Sequence, residues 1–317
     1  RRRRRRSRLP VRPLTGRHNC PLRAGFDMYG EAVALGAGTV LNALATGVGS
    51  AFALDAETTA WVELDDSGVV EGAIAGAPDG DTRLVRRCVE RVVDRFGDGH
   101  GGHVRTESDV PMAAGLKSSS AAANATVLAT LSALDVPVGD GADAVLDREA
   151  ACRIGVAAAR DAGVTVTSAI DDASASMLGG VTVTDNTADD LLAREPVDWD
   201  ALVWTPAERA LSADADVARC ERVAPMADLV AGLALDGRYA EAMTVNGLAF
   251  SAALGFPTDP AVEAMPHAEG VSLSGTGPSV VAVGDRDELE RVRDHWTQRE
   301  GDTWLTTTRT DGARVIE

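Results

Sequence analysis

Apolar residues recur every three or four positions in several stretches of the chain, which is the spacing of one helix face. Val85, Cys88, Val92 and Phe96 follow this spacing, and Gly97 ends it. Other stretches are rich in small apolar residues and predict helices that pack closely inside a domain. Helices are therefore predicted over 82–96, 118–134, 142–162, 225–235, 239–254 and 287–300.

Short runs of apolar and β-branched residues between glycines and polar turns predict strands. Strands are predicted over 59–64, 104–110, 179–184, 201–204, 270–273, 279–283 and 304–308. The stretch 30–52 predicts a strand, a glycine turn at 36–38, and then a short strand or helix start near Asn42. Because strands and helices mix without a regular βαβα alternation, the predicted fold class is α+β.

One acidic segment, 185–196, shows neither the helical spacing nor the strand pattern and is predicted to be irregular. We place a domain boundary there, which divides the chain into an N-terminal domain over 28–185 and a C-terminal domain over 186–317. The sequence shows no internal repeat of fixed period.

Residues 1–27 differ in composition from the rest, with ten arginines, six of them consecutive, and a single acid, Asp27. We interpret this stretch as a disordered basic extension without packed structure. Three origins are weighed: an arm that binds nucleic acid, a targeting peptide, and translated upstream sequence with the true start at Met28. The third is favoured, because no apolar segment follows the arginines and a cationic arm on an acidic body would bind non-specifically.

Charge adds a second constraint, since 31 Lys and Arg stand against 48 Asp and Glu, a net charge of −17. Residues 28–317 alone carry 21 basic and 47 acidic residues, and Lys117 is the only lysine in the sequence. Such a composition is typical of a halophilic protein, which stays soluble in concentrated salt because screening weakens self-repulsion. A GC-rich genome would also replace lysine by arginine, so both explanations stay open.

The composition also argues against several classes of protein. An acidic surface disfavours nucleic-acid binding, and the lack of a run of about 18 apolar residues disfavours a membrane span. The four cysteines are far apart with no C-x-x-C pair, and the five histidines show no metal-ligand spacing. These features predict reduced thiols and a cytoplasmic protein, and they leave the oligomeric state open.

The segment from Pro111 to Ala122, P-M-A-A-G-L-K-S-S-S-A-A, lies between a predicted strand and a predicted helix. Gly115 would let the backbone approach a ligand, and the N–H groups of the first helical turn would face an anion. Lys117 adds a positive charge, and the serine hydroxyls are suitable ligands for phosphate or Mg²⁺. Serines that only cap a helix are the simpler alternative, and the Walker pattern G-x-x-x-x-G-K-[ST] is absent.

This segment resembles the second motif of the GHMP kinase superfamily, P-x-x-x-G-L-G-S-S-A, with Lys117 where the superfamily usually carries glycine. The form G-L-K-S-S-S-A resembles the archaeal shikimate kinase branch. Two more segments agree: S-L-S-G-T-G-P-S (272–279) is similar to the third motif, and G-A-G-T-V-L-N-A-L-A-T-G-V-G (36–49) is similar to the first. The first motif lacks the lysine or arginine that many relatives carry before the asparagine. The three motifs stand in the family's order, and the resemblance covers about residues 28–317.

The resemblance implies a two-domain α+β GHMP kinase fold that binds ATP between its domains. It implies substrate contacts from Thr39 and Asn42 in the first motif. It implies that the second and third motifs bind the nucleotide, through Pro111, Met112, Ala113, Ala114, Gly115, Leu116, Lys117, Ser118, Ser119, Ser120, Ala121, Gly275, Thr276 and Gly277.

The resemblance also implies catalytic and metal-binding candidates. The segment S-A-I-D-D-A-S-A-S-M-L-G-G (168–180) is similar to D-N-x-x-x-x-x-G-G, in which an aspartate acts as the base in some members. Alignment to the glycines leaves both Asp172 and Asp171 open, with Asp172 preferred. Ser119 and Glu149 are the candidate ligands of Mg²⁺. In so acidic a chain, solvated surface carboxylates are the alternative explanation for these residues.

The expected activity is phosphoryl transfer from ATP to an alcohol, namely shikimate to shikimate 3-phosphate in aromatic amino-acid synthesis. Homoserine or a mevalonate-type alcohol is the alternative substrate within the superfamily. A non-catalytic metabolite sensor of the same fold is the alternative from another class. A small-molecule substrate is expected, without nucleic-acid or membrane partners, and the spacing of the arginines does not single out a residue that binds the substrate carboxylate.

Overall fold

The computed structural model describes residues 28–165, 170–207 and 216–316, so the basic extension predicted over 1–27 lies outside the described residues. The helices α1 to α9 of these ranges are Arg83–Phe96, Ser118–Ala133, Arg148–Ala162, Ile170–Leu178, Val217–Cys220, Ala224–Leu235, Tyr239–Leu254, Asp259–Ala264 and Arg286–Trp296. The strands β1 to β11 are Tyr29–Leu41, Val48–Asp65, Val70–Ile74, Gly101–Ser108, Val181–Asp185, Asp190–Glu195, Asp200–Thr205, Gly270–Leu273, Val280–Gly284, Asp302–Thr307 and Arg314–Val315. Across the same ranges, every helix is too short or too polar to cross a bilayer.

Two sheets organise the described residues. The larger sheet has seven strands in the order β11–β1–β2–β4–β3, and β2 also pairs with β5, which pairs with β6. The smaller sheet has four strands in the order β10–β7–β9–β8. Neighbouring strands are antiparallel apart from the parallel pair β3 and β4. The predicted α+β class is confirmed.

Small residues let α2 lie directly on the larger sheet. Most residues of this alanine-rich helix are buried. Gly30 in β1 approaches the α2 backbone so closely that a Cβ atom would lie 1.9 Å from the carbonyl oxygen of Ala129. Because α2 is held this closely, its N-terminus and the loop before it have a defined position beside β1.

The glycine turn predicted at 36–38 is wrong, because β1 continues through it. These glycines serve close packing instead, since a Cβ atom on Gly38 would lie 2.4 Å from the ring of Phe52. The register between β1 and β2 shifts between Leu35 and Ala37. The strand therefore contains an irregularity of the bulge type, which a glycine-rich sequence also accommodates.

The acidic segment 185–196 is not irregular, because Asp190–Glu195 forms β6 and pairs with β5. Its polar side chains obscure the strand pattern, since β6 is an edge strand with mostly exposed residues. The domain boundary between residues 185 and 186 falls in the turn of this hairpin and stays a prediction.

Two helices begin where the sequence pattern did not indicate a start. α3 begins at Arg148 rather than at 142, because the Asp147 carboxylate accepts a hydrogen bond of 2.7 Å from an N–H of the first turn. The acidic turn predicted around Asp171 and Asp172 is the first turn of α4. Both carboxylates therefore lie at the positive end of a helix dipole.

Candidate active site

A cavity of about 450 Å³ opens where the loop before α2, the first turn of α4 and the turn between β8 and β9 meet. The start of α1 and one side of α3 complete its wall. The predicted site residues that line it are Asn42, Ala113, Gly115, Lys117, Ser118, Ser119, Ser120, Asp171, Asp172, Gly275 and Thr276. The structure thus brings parts of all three motifs and of the acidic segment to one cavity.

Other predicted nucleotide-binding residues do not line the cavity: Pro111, Met112, Ala114, Leu116, Ala121 and Gly277. Ala114, Leu116 and Ala121 are buried in the core instead, and Met112 is half exposed. The Leu116 carbonyl oxygen accepts a hydrogen bond of 3.1 Å from β1. Ala114, Leu116 and Ala121 therefore support the loop from the core, and a direct nucleotide contact stays a prediction for all six residues.

The loop before α2 has an unusual backbone, with positive φ at Ala113 (52°), Gly115 (78°) and Lys117 (64°). A Cβ atom on Gly115 would lie 2.1 Å from the carbonyl oxygen of Ser274, so only glycine fits there. The Ser274 hydroxyl donates to the Gly115 carbonyl oxygen at 2.8 Å. The loop and the β8–β9 turn are thereby joined, and the first N–H groups of α2, at 118–120, are placed at the cavity.

The side chain of Lys117 connects two sides of the cavity. Its Nζ lies 2.6 Å from Oδ1 of Asp172, and the lysine side chain is 6% exposed against 26% for the aspartate. A Cβ atom on Gly275 would lie 3.0 Å from the same Nζ, so the ammonium group also packs against the β8–β9 turn. One buried positive charge therefore lies between the loop before α2 and the first turn of α4.

Asp171 lies deeper than Asp172 and is 5% exposed. Its Oδ1 accepts a hydrogen bond of 2.7 Å from Nδ2 of Asn186. Burial and the negative charge of Asp172 raise the pKa of Asp171 to about 6, while Lys117 and the Asn186 hydrogen bond act in the opposite direction. The two carboxylates thus have different surroundings: Asp171 is buried and bonded to a neutral amide, whereas Asp172 is paired with a cation.

Thr39 and Asn42, the predicted substrate residues, hold the β8–β9 turn in place. The Gly275 N–H donates to Thr39 Oγ1 at 2.7 Å, and Asn42 Nδ2 donates to the Gly275 carbonyl oxygen at 2.8 Å. The Asn42 N–H donates to Oδ1 of Asn246 in α7 at 2.9 Å. These bonds join the end of β1 and the residue that follows it to the turn and to α7. Thr39 does not line the cavity, and substrate binding by Asn42, which does, stays a prediction.

The structure does not bring Glu149 to the cavity. Its carboxylate, in the first turn of α3, pairs at 2.6 Å with Arg153, one helical turn further on. Over residues 28–165, 170–207 and 216–316, no group of three or more His, Cys, Asp or Glu side chains could hold a metal ion. Metal binding by Glu149 stays a prediction, and so does metal binding by Ser119, which lines the cavity.

The sequence interpretation missed three supporting residues: Gly49, Asn186 and Asn246. A Cβ atom on Gly49 would lie 2.6 Å from Oδ2 of Asp171. Each of the three acts through a residue far away in the chain. No local pattern marks such contacts, and only the first motif, which contains Gly49, offered a signal.

Residues 83–180 match the family model of the GHMP kinases N terminal domain. The chain is 68% identical over 290 residues to a shikimate kinase from Halobacterium salinarum, and the match covers 91% of this chain and 100% of that protein. It is 47% identical over 273 residues to a shikimate kinase from Methanosarcina mazei, which covers 86% of this chain and 90% of that protein.

Solved structures share the fold at much lower identity. A homoserine kinase from Cytophaga hutchinsonii superposes with a TM-score of 0.72 at 19% identity, covering 91% of this chain and 98% of that one. The mevalonate kinase from Methanococcus jannaschii gives a TM-score of 0.69 at 13% identity, covering 91% and 99%. At these identities the likeness concerns the fold alone.

Proposed function

Because the chain belongs to the shikimate kinases of the GHMP kinase family, we propose that its cavity binds ATP and shikimate and transfers the γ-phosphoryl group between them. The products are ADP and shikimate 3-phosphate. In this proposal the ATP phosphates bind at the loop before α2, and shikimate binds on the side of the first turn of α4. The site then lies between the N-terminal and C-terminal domains.

The observation that carries this proposal is the 2.6 Å contact between Lys117 and Asp172. An ammonium group beside a helix N-terminus suits a transferred phosphoryl group, because both offer positive charge to the oxygens on which negative charge builds up. A carboxylate within hydrogen-bond distance of the same ammonium group lies next to the place where the acceptor hydroxyl must arrive. The contact thus joins the two halves of a phosphoryl transfer site.

We assign the role of base to Asp172, since it is the more exposed carboxylate and the one joined to the phosphate loop. The shikimate hydroxyl attacks the γ-phosphorus, a new O–P bond forms, and the bond to the β-phosphate oxygen breaks to release ADP. The hydroxyl proton passes to the Asp172 carboxylate. Lys117 keeps that carboxylate oriented before the reaction and attracts the phosphoryl oxygens during it.

Mg²⁺ fits the residues at this cavity as a partner of the nucleotide rather than as an ion in a protein cage. Magnesium commonly keeps several waters and takes one or two protein oxygens together with substrate phosphates. The Ser119 hydroxyl, which lines the cavity, would hold it here together with phosphate oxygens of the nucleotide. When bound, the ion neutralises phosphate charge and so favours attack by the hydroxyl.

We also propose that the protein works in the cytoplasm at high salt. The described cysteines, Cys88, Cys152 and Cys220, are free and buried, which suits a reducing compartment. The surplus of acidic residues suits concentrated salt, as argued from the composition.

A coupled ADP-release assay of the full chain in molar KCl with Mg²⁺ tests the function. Shikimate, homoserine and mevalonate are offered separately, and ADP release without an acceptor is subtracted. Turnover with shikimate alone is the expected result. Turnover with another alcohol would discard the proposed substrate, and nucleotide binding without any turnover would favour a metabolite sensor of the same fold.

A further inference from the structure

A chain of three buried side chains leads from β5 to the acidic pair. The Thr184 hydroxyl donates to Oδ1 of Asn186 at 2.8 Å, and Asn186 Nδ2 donates to Oδ1 of Asp171 at 2.7 Å. Thr184, Asn186 and Asp171 are 0%, 6% and 5% exposed. The threonine hydroxyl thus satisfies the amide oxygen of Asn186, and the Nδ2 group at the other end of the amide faces the carboxylate.

The opposite side of the Asp171 carboxylate is closed by backbone. A Cβ atom on Gly49 would lie 2.6 Å from both Cβ and Oδ2 of Asp171, so β2 leaves no room for a side chain between its backbone and the carboxylate. One oxygen is thus bonded to an amide, and the whole group is held against a strand. The position of this carboxylate is therefore determined from two sides.

The charged groups that act on Asp171 come from two elements. Asp172, the next residue of α4, repels it, and Lys117, from the loop before α2, attracts it. The strands packed against it contribute Gly49 from β2, and β5 leads to the amide of Asn186, which follows the strand. The Asn186 amide is thus the neutral hydrogen-bond donor to Asp171. Its hydrogen bond stabilises the ionised form of this buried carboxyl group next to the carboxyl group of Asp172.

We propose that Asn186, oriented by Thr184, is a positioning residue of the phosphoryl transfer, which keeps Asp171 ionised beside Asp172. The proposal rests on the proposed function, in which Asp172 is the base. It gives Asp171 a role as well: its negative charge makes Asp172 a better proton acceptor. If Asp171 were protonated, it would lose that charge and donate a hydrogen bond to a neighbour, and Asp172 would accept the substrate proton less readily.

The pH dependence of turnover tests this inference with Asn186→Ala. Loss of the donor should raise the pKa of Asp171, because a hydrogen bond to the charged form lowers the pKa of a carboxyl group. The acidic limb of the pH profile of kcat should therefore shift to higher pH by about one unit, with little change in the KM for ATP. Thr184→Val should move the limb in the same direction by less, and Thr184→Ser, which keeps the hydroxyl, should restore it.

A matched control separates positioning from loss of stability. Thr182 also lies buried on β5, and its hydroxyl bonds a side chain of α4, Ser174, at 2.8 Å, without touching a carboxylate. Thr182→Val should lower the melting temperature about as much as Thr184→Val but leave the acidic limb of kcat in place. Equal acidic limbs in Asn186→Ala and the unmodified protein would overturn the inference, as would an equal shift in Thr182→Val. A lack of shikimate turnover in the unmodified protein would instead defeat the proposed function.

Discussion

The Lys117 ammonium group lies 2.6 Å from the Asp172 carboxylate, although the two residues belong to elements more than fifty positions apart. Lysine has φ of 64° there, in the left-handed region that favours glycine. The chain thus accepts an unfavourable backbone conformation at this residue. The position of this buried cation between the loop before α2 and an acidic helix start is a functional explanation for that cost.

We expect Lys117→Gly to lower kcat by roughly 10²- to 10³-fold, the usual loss when one electrostatic contact of a transition state is removed. Glycine adopts the positive φ without strain, so this variant should be more stable than Lys117→Ala by about 1 kcal/mol. Assays of ADP release and thermal unfolding of both variants check the two statements. Turnover close to that of the unmodified protein in Lys117→Gly would contradict the role of the ammonium group.

We expect Asp172→Asn to lower kcat by roughly 10²- to 10⁴-fold, because an amide accepts no proton from the substrate hydroxyl. Nucleotide affinity, measured by titration calorimetry, should change much less. Asp171→Asn should cost less activity than Asp172→Asn, since it removes a supporting charge and not the base. A larger loss of kcat in Asp171→Asn than in Asp172→Asn would show that Asp171 is the base and Asp172 the supporting charge.

Stability should respond to Asp171 in the opposite sense to activity. Its pKa is raised to about 6 from a usual 3.8, so the folded state binds more protons than the unfolded state between about pH 4 and pH 6. The free energy of unfolding contributed by this group therefore falls as pH rises through that window. Asp171→Asn should raise the melting temperature at pH 7.5 by about 2 to 4 °C and make it less dependent on pH. A lower melting temperature of the variant at pH 7.5 would contradict burial of the charge.

Local patterns predicted most of the fold. The period of apolar residues located α1 to within two residues. The small apolar residues of α2 and α7, which are buried on most sides, located those helices as closely. β6 was missed because its three apolar residues, Leu191, Leu192 and Ala193, are consecutive and do not alternate with polar residues. The prediction of a turn at 36–38 was wrong because a sequence does not distinguish a glycine required by close packing from a glycine required by a turn.

The site could be predicted where it is made of continuous segments. The motif around Lys117 and the pair Asp171 and Asp172 each lie within a short stretch, and the fold brings them together. Asn186 could not be found, because its contact with Asp171 forms only in the folded chain. Glu149, chosen as the counterpart of the family's magnesium-binding glutamate, pairs with Arg153 and does not line the cavity.

Gly49→Ala tests how closely β2 must approach the acidic pair. Its Cβ atom would lie 2.6 Å from the Asp171 carboxylate, so we expect turnover to fall at least about tenfold as the carboxylate is displaced. Gly232→Ala is the matched control, because a Cβ atom there meets nothing within 4 Å and should leave turnover unchanged. In an Asp171→Gly background, which removes the Cβ atom of Asp171 as well as its carboxylate, Gly49→Ala should cost little further stability. A full additional loss there would show that the strain has another source.

Salt should stabilise this chain, although it weakens individual ion pairs. The described ion pairs are mostly exposed and worth about 0–1 kcal/mol each, whereas residues 28–317 carry 47 acids against 21 basic residues. The net repulsion therefore dominates, and screening relieves it. Between about 0.1 and 1 M KCl the Debye length falls from about 10 to about 3 Å, so the melting temperature should rise most steeply at the lower end of this range. Circular dichroism melts of the full chain in KCl, with isosmotic sucrose as the uncharged control, measure this. A melting temperature that falls with KCl, or that rises equally in sucrose, would show that charge repulsion is not what salt relieves.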